Sequence, residues 1–233
     1  MDEHRGLVQA VVSRGWVFCI LLTAMSLAGC DAPPRVTDKG KLATESVPVM
    51  GRILGRRLAA MYADTSVRRL TDASTPIELL DRTPLEKPGR LDDSSLVKYF
   101  DVFSRSLDQV SDTTCAKLWD PAHGGVTDAS FLSVAAEVDS ALAVEWVDVI
   151  EQQVWAELRH RPFGETASRE EADAAIAAAR KELPATDQAL FVRNARGDVL
   201  SGPDRCQLVR AIFHGYNLIP LHDRARVLRR NVS

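Results

Sequence analysis

The chain has 233 residues and a formal net charge of −3 at pH 7, and 45% of its residues are hydrophobic. An apolar content near the average of globular proteins excludes a disordered chain, and the small negative charge argues against a nucleic-acid binder. The part of the chain that follows Cys30 is long enough for one sizeable domain or two small ones, and one domain is the simpler prediction.

An apolar run near the amino terminus begins at Trp16 and ends with the tetrad Leu27, Ala28, Gly29 and Cys30. The run has about a dozen residues, whereas a helix needs roughly 20 apolar residues to span a bilayer. We therefore interpret it as the hydrophobic part of an export signal and not as a membrane span. The alternative is a buried core helix that is followed by an ordinary cysteine.

The tetrad resembles the lipobox of bacterial lipoproteins, which reads Leu, a small residue, Gly or Ala, and then Cys. The resemblance covers residues 1–30 only. It implies that residues 1–29 are removed as a signal peptide, that the Cys30 thiol carries diacylglycerol, and that the new amino group is acylated. The protein would then face the periplasm from a lipid anchor. Asp31 favours the inner membrane in enteric members of this class, and the choice between the two membranes stays open.

Residues 30–45 are polar and contain Pro-Pro, which predicts a tether between the lipid and one helical domain over residues 46–233. Order is expected to begin near Ser46. An apolar stripe at helical spacing predicts the first helix. The stripe consists of Val47, Met50, Leu54, Leu58 and Met61. A short second helix is predicted to start at Thr75, which can form a capping box with Glu78.

The middle of the chain predicts two longer helices. Asp92 or Asp93 is expected to cap the first of them. The apolar face of this helix consists of Leu96, Phe100, Phe103, Leu107 and Val110. The longest helix is predicted to begin at Thr127 or Asp128 and to end near Leu158. It is apolar around so much of its circumference that we expect it at the centre of the fold.

The remaining helices are predicted from their caps and prolines. Residues 168–171 form a capping box in front of an Ala-rich helix that Pro184 ends. Residues 186–200 fit either a helix or a small hairpin, and the helix is preferred. Pro203 and Pro220 start the last two helices. The sequence thus predicts an all-α fold, an irregular bundle of about seven helices around a long central helix, after an amino-terminal signal helix.

Cysteine usage agrees with export. Cys19 is removed with the signal and Cys30 carries lipid, so Cys115 and Cys206 remain as an even pair. We predict a disulfide between them, with two buried free thiols as the alternative. In the chain-entropy model a bond that closes a loop of about 90 residues contributes on the order of 4 to 5 kcal/mol. No second cysteine or histidine lies near either cysteine at the spacing of metal ligands, so we predict no metal site and no cofactor.

Charge is distributed unevenly along the chain. Eight acidic residues and no Lys or Arg lie between Asp120 and Glu157, whereas the carboxy-terminal region is rich in Arg. One interpretation is that basic terminal helices pack beside the acidic helix and neutralise it. The other is an exposed acidic face that binds a cationic envelope protein. The residues predicted for that face are Glu137, Glu145, Asp148 and Glu151.

The first helix carries three basic residues a short distance after the lipid. Arg52, Arg56 and Arg57 are candidates for contact with anionic headgroups, where each basic side chain contributes about 1 kcal/mol. Such contacts would supplement a lipid anchor. The alternative is an ordinary amphipathic helix with a solvated basic face.

Catalytic signals are weak. His214 and His222 with the adjacent Asp223 are the best candidates, because a His beside a carboxylate can transfer protons, although a His at a helix end also suits the helix dipole. We therefore expect a lipid-anchored protein that binds an unidentified envelope protein, as an assembly factor, a machine subunit or an immunity-type inhibitor. The alternative is a periplasmic or cell-wall enzyme whose active site comes from residues distant in sequence.

Overall fold

A computed structural model describes most of the chain that follows the predicted tether. The described residues are 48–83, 85, 88–118 and 128–232. The lipobox (Leu27, Ala28, Gly29 and Cys30), Asp31 and the tether lie outside them, so lipidation and signal cleavage stay predictions. Among the described residues, no helix combines the length and the apolarity needed to cross a bilayer.

The described residues form α-helices and no strands, which confirms the all-α prediction. Eleven α-helices are present in this part of the chain, against about seven predicted, because three have only six residues and the predicted long helix is divided. They are α1 (Pro48–Ala63), α2 (Thr65–Leu70), α3 (Pro76–Asp81), α4 (Asp93–Gln109), α5 (Asp112–Lys117), α6 (Asp128–Glu137), α7 (Ser140–Leu158), α8 (Arg169–Lys181), α9 (Ala185–Ala195), α10 (Gly202–Leu218) and α11 (Leu221–Val232). A single turn of 3₁₀ helix (Pro88–Arg90) precedes α4.

Most helix starts are fixed by a local polar side chain. An Asp, Ser or Thr oxygen in front of the helix accepts a hydrogen bond from a backbone N–H of its first turn, which satisfies a donor that the helix itself cannot satisfy. These residues are Asp64, Thr75, Asp92, Ser111, Asp139, Ser168 and Ser201. Glu171 completes the capping box by accepting from the Ser168 N–H at 2.7 Å. The predicted starts at Thr75, Asp92 and Ser168 are confirmed.

The predicted continuous helix from residue 127 or 128 to Leu158 is wrong. Asp139 has φ −68° and ψ 169°, so it interrupts the helix and caps α7 by accepting from the Leu142 N–H. The side chain of Gln109, the last residue of α4, stabilises this break with two hydrogen bonds. Its carbonyl accepts from the Asp139 N–H and its amide donates to the Asp139 carboxylate, both at 2.9 Å. Apolar residues continue through the break, which is why periodicity alone missed it.

The core is built around α4 and α7. Trp146 of α7 is fully buried, donates its indole N–H to the Ser106 hydroxyl at 2.8 Å, and meets the rings of Tyr99 and Phe103 edge to face. Helix α7 packs on α1 and α4, while α4 also contacts α6, α10 and α11, so the two helices share the central position. The predicted apolar residues of α1 and α4 that are described are all buried, and they are Met50, Leu54, Leu58, Met61, Leu96, Phe100, Phe103, Leu107 and Val110.

Helices α8 to α11 cover the other side of α4. Residues 185–195 form a helix, which agrees with the preferred interpretation of 186–200 and excludes the hairpin. Helix α10 packs on α4 and α5, α9 packs on α10, and α11 packs on α4 and on the 3₁₀ turn. A small satellite cluster of Leu190, Leu200 and Leu208 joins α9 to α10.

The two remaining cysteines meet between α5 and α10. The sulfur atoms of Cys115 and Cys206 are 2.28 Å apart and their Cα atoms are 5.0 Å apart, which is disulfide distance. Both residues are fully buried. The pair links two helices that lie 91 residues apart in sequence.

Arg229 is the most deeply buried charged side chain among the described residues. Its guanidinium donates to the backbone carbonyls of Gly89, Leu91 and Glu165 at 2.8–3.2 Å and to the Asp93 carboxylate at 2.8 Å. A planar group with five donors can satisfy several fixed acceptors at once, which an ammonium group cannot do as well. Arg229 therefore joins α11 to the start of α4 and to the segment between α7 and α8.

Two helix ends allow a matched test of backbone strain. His160 follows α7 with φ 46° and Gly197 follows α9 with φ 81°, so both lie in the left-handed region that favours glycine. We expect His160→Gly to raise the free energy of unfolding by about 0.5–1 kcal/mol and Gly197→Ala to lower it by about 1 kcal/mol. No atom lies within 4 Å of a Cβ built on Gly197, so a steric clash would not contribute. Urea denaturation measures both changes, and changes of the same sign would contradict the expectation.

Asp92 provides a pH-dependent cap for α4. Burial acts to raise the pKa of this carboxyl, but hydrogen bonds from the Ser95 N–H and the Ser94 and Ser95 hydroxyls outweigh it, so the pKa is lowered to about 2. We expect Asp92→Ala to cost about 1 kcal/mol at pH 7, the usual value of an N-cap. A carboxyl whose pKa is lower in the folded state stabilises the fold at pH values above its unfolded pKa. The difference in the free energy of unfolding between the variant and the wild type should therefore shrink as the pH falls from about 4 to about 2. A difference that stays constant over this window in urea titrations would refute the assignment.

Candidate functional site

The predicted acidic face on α7 is occupied by basic residues of the same chain. The Arg105 guanidinium binds the Glu145 carboxylate with two hydrogen bonds of 2.6 and 2.9 Å. Arg57 binds Asp148 and Glu151, each at 2.9 Å. The hydrogen bond from Arg105 lowers the pKa of Glu145 and keeps it ionised. The carboxylates of this face therefore hold α1 and α4 against α7.

Glu137 at the end of α6 has a separate structural role. Its carboxylate accepts from the Ser111 N–H at 2.7 Å and from the Thr114 hydroxyl, so it ties α6 to the start of α5. Burial acts to raise the pKa of Glu137, but these hydrogen bonds outweigh it and the pKa is lowered. The four residues predicted to bind a partner are thus all engaged inside the molecule.

The interpretation in which the carboxy-terminal helices neutralise the acidic helix is also wrong in its detail. The cations that face α7 come from α1, α4 and the 3₁₀ turn, whose Arg90 lies 3.2 Å from Glu157, whereas α10 and α11 pack on other helices. The carboxy-terminal arginines have their own partners. Arg193 binds Asp204 at 3.0 Å, and Arg210 donates to the carbonyls of Leu107 and Val110 at the end of α4. Within the part of the chain that the structure describes, these two arginines thus bind a nearby carboxylate and backbone carbonyls at a helix end, and they do not bind α7.

A groove of about 530 Å³ lies between α1 and the second half of α7. Its apolar wall consists of Ile53, Ala60, Met61 and Trp155, and its polar lining consists of Arg56, Arg57, Asp64 and Glu151. The Arg159 guanidinium stacks 4.5 Å from the centre of the Trp155 ring. Trp155 is only half buried, so this groove lies open at the surface.

The three arginines predicted to face a membrane differ in their surroundings. Arg57 is held by Asp148 and Glu151, and its hydrogen bond with Glu151 raises its pKa. Arg52 and Arg56 are exposed, and neither forms an ion pair with any described residue. The Arg56 side chain donates a hydrogen bond to the backbone carbonyl of Arg52 at 3.3 Å. The structure thus separates one structural arginine from two whose charge faces solvent.

The histidines form two isolated surface pairs. His214 lies 3.1 Å from Asp108, and His222 lies 2.9 Å from its neighbour Asp223 with 79% of its side chain exposed. Neither histidine lines the groove or the smaller cavity between α8 and α10. Within the described ranges, no three His, Cys, Asp or Glu side chains are grouped so that they could hold a metal ion. His214, His222 and Asp223 are therefore not brought together into one site.

A rigid apolar turn connects α10 and α11. Leu218 and Leu221 are 47% and 69% exposed and flank Ile219, which is buried, and Pro220, which is exposed. The Arg224 guanidinium donates to the carbonyls of Asn217 and Ile219, at 2.9–3.0 Å to the latter, and holds the turn in place. We name residues 218–221 the apolar corner.

Comparison with known proteins adds no relative, since no protein-family model, curated protein or solved structure matches this chain. The groove and the apolar corner were not predicted from the sequence. Trp155 carries no local signal for a half-buried position, because a tryptophan is an ordinary core residue. Two leucines on either side of Ile219-Pro220 were a possible signal for the corner, because a proline turn leaves its flanking side chains at the surface.

Proposed function

We propose that this is a lipid-anchored envelope protein that faces the periplasm and binds a partner protein through the apolar corner. The lipobox at Leu27 to Cys30 supports the anchor. Assembly factor, machine subunit and immunity-type inhibitor are the roles that fit a tethered helical binding domain. The observation that carries the proposal is the exposure of Leu218 and Leu221 on a turn that Arg224 holds rigid.

Rigidity is what makes the apolar corner suited to binding. Exposed single apolar residues are common, and they carry little information on their own. Here Leu218, Pro220 and Leu221 lie within four consecutive residues, and the backbone carbonyls of Asn217 and Ile219 accept hydrogen bonds from the Arg224 guanidinium. A backbone that is already ordered loses little conformational entropy when a partner covers it, so burial of its side chains contributes to affinity. Full burial of one leucine contributes roughly 1.5–3 kcal/mol, less the part already buried.

The acidic face supports partner binding less well than the corner. A cationic partner would have to displace Arg57 from Asp148 and Glu151, or Arg105 from Glu145. Each exchange would replace one ion pair with another, so the net gain would be small. We therefore assign Glu137, Glu145, Asp148 and Glu151 to stability and place the partner at the corner.

Site-specific photo-cross-linking in the native envelope tests the proposal. A photoreactive residue at 218 or 221 should capture one dominant envelope protein, whereas the same residue at 77, where an apolar side chain is about as exposed as Leu218, should not. The double variant Leu218→Glu/Leu221→Glu should lose the captured protein in co-purification, while Ile77→Glu should retain it. Urea denaturation of both variants checks that the fold is intact. Equal capture from positions 77 and 221 would refute a binding role for the corner.

A further inference from the structure

We propose that the groove between α1 and α7 binds an anionic phospholipid of the membrane that carries the protein. The phosphate would lie against Arg56, which lines the groove, and Arg52, which lies one helical turn before it on α1. The glycerol and acyl part would lie against Ile53, Met61 and Trp155. The inference rests on the proposed lipid anchor. It adds a second, non-covalent membrane contact, which orients the domain on the bilayer.

The charge of the groove favours an anion. Arg52 and Arg56 are one helical turn apart on α1, so both lie on the same side of the helix. Within the described part of the chain neither has a carboxylate partner. Arg159, which follows α7, stacks on the Trp155 ring and likewise forms no ion pair with a described residue. Arg56 borders the groove on the α1 side and Arg159 stacks on its α7 wall. Guanidinium groups bind phosphate oxygens with two parallel hydrogen bonds, which matches this arrangement.

The two carboxylates that line the groove do not cancel this charge. Arg57 bridges Glu151 and Asp148, each at 2.9 Å. Lys98 lies 3.8 Å from Asp148, so these two cations balance the carboxylates of Glu151 and Asp148. The Asp64 carboxylate accepts from the Ser66 N–H at 2.8 Å and caps α2. The cations that remain for a ligand are Arg52, Arg56 and Arg159.

The apolar wall fits the hydrocarbon part of a lipid. The flexible Met61 side chain can adapt to the shape of a hydrocarbon chain, and the Trp155 ring offers a large apolar surface. A half-buried indole beside arginines is typical of side chains at a membrane interface. The groove volume of about 530 Å³ is large enough for a headgroup and a part of its acyl chains but not for a whole phospholipid. The rest of the lipid would remain in the bilayer.

The position of α1 in the chain keeps the groove close to a membrane. Seventeen residues, 31–47, separate Cys30 from Pro48, and they span at most about 56–61 Å when fully extended. Helix α1 is the first described element after the anchor. A tether of this length gives membrane lipids a high effective concentration at the groove, so weak intrinsic affinity is sufficient.

Fluorescence quenching by brominated lipids tests the proposal on the mature lipidated protein in vesicles. We expect brominated phosphatidylglycerol, diluted into phosphatidylcholine, to quench tryptophan emission, and Trp155→Phe to remove this quenching. Arg52→Gln/Arg56→Gln should raise the mole fraction of phosphatidylglycerol at half-maximal quenching about 30-fold, since each basic side chain changes affinity about fivefold. The control Arg169→Gln/Arg196→Gln removes two exposed positive charges elsewhere and should quench like wild type.

Three results would overturn the inference. They are no quenching of the wild-type protein, equal quenching by brominated phosphatidylcholine, and equal quenching of the two arginine double variants. Flotation of the same protein with pure phosphatidylcholine vesicles reports on the lipid anchor independently. If the anchor proposal fails, the protein does not float. If only the groove proposal fails, the protein floats and Trp155 is not quenched.

Discussion

Arg229→Met is expected to lower the free energy of unfolding by about 3–5 kcal/mol, the usual cost of removing one partner from a buried charged network. The carbonyls of Gly89, Leu91 and Glu165 would lose their donor in a region that methionine keeps dry. An unsatisfied buried acceptor costs its full desolvation energy. The Asp93 carboxylate is 71% exposed, so water would replace this contact and it contributes little.

Urea denaturation of the mature protein measures the effect of Arg229→Met. The matched control is Arg230→Met, because Arg230 is the next residue on α11 and is exposed. It should change the free energy of unfolding by less than about 0.5 kcal/mol. A loss of less than 1 kcal/mol for Arg229→Met would contradict the role of this side chain.

Gly164→Ala tests the same network from the opposite side. A Cβ at this position would lie 2.6 Å from the Arg229 guanidinium carbon, so the guanidinium would have to leave its carbonyl acceptors. We expect the variant to be destabilised by about 1–3 kcal/mol, as for overpacking of a core. In the Arg229→Met background the same substitution should cost less, because a flexible thioether can move aside. Equal costs in both backgrounds would place the clash elsewhere.

Loss of the Cys115–Cys206 bond is expected to cost on the order of 4 to 5 kcal/mol. The bond closes a loop of 91 residues, so it restricts the unfolded chain more than a bond between near neighbours would. Because both cysteines are fully buried, the double variant Cys115→Ala/Cys206→Ala also removes two well-packed sulfur atoms from the core. The fold should therefore unfold at a much lower urea concentration than wild type.

The control for the disulfide is the wild-type protein unfolded with and without reductant. A reductant should lower the unfolding midpoint of wild type but leave that of the double alanine variant unchanged. Thiol counting gives an independent result. Two free thiols in the denatured mature protein without reductant would show that Cys115 and Cys206 are not bonded, and the loss in the double variant would then come from packing alone.

The sequence predicted well those features that depend on neighbouring residues. Thr75, Asp92 and Ser168 were identified as helix starts because a cap needs only an oxygen and a backbone N–H two or three residues later. The break at Asp139 was missed although Asp is a good cap. The apolar period continued across it, and the Gln109 side chain that holds it lies 30 residues away in sequence.

The sequence identified several charged residues of the candidate site, but only the tertiary structure shows which of them bind one another. Arg57 was assigned to a membrane surface, and Asp148 and Glu151 to a partner surface, because their charges were considered along the chain. In the fold Arg57 binds both carboxylates, across a separation of 94 residues from Glu151. Which arginines keep a free charge is decided by such distant pairs, and no local pattern encodes them.

The sequence by itself determined the all-α class, the apolar faces of α1 and α4, and the helix starts at Thr75, Asp92 and Ser168, since each follows from periodicity or from a local hydrogen bond. It also predicted the pair of Cys115 and Cys206 by elimination. Tertiary structure alone decided that Arg229 is buried, that Arg56 borders an open groove, and that Leu218 and Leu221 are exposed. Burial and charge pairing depend on how helices that are distant in sequence pack. Coulomb and desolvation energies change most steeply when two groups are only a few ångströms apart, so they are decided by that packing.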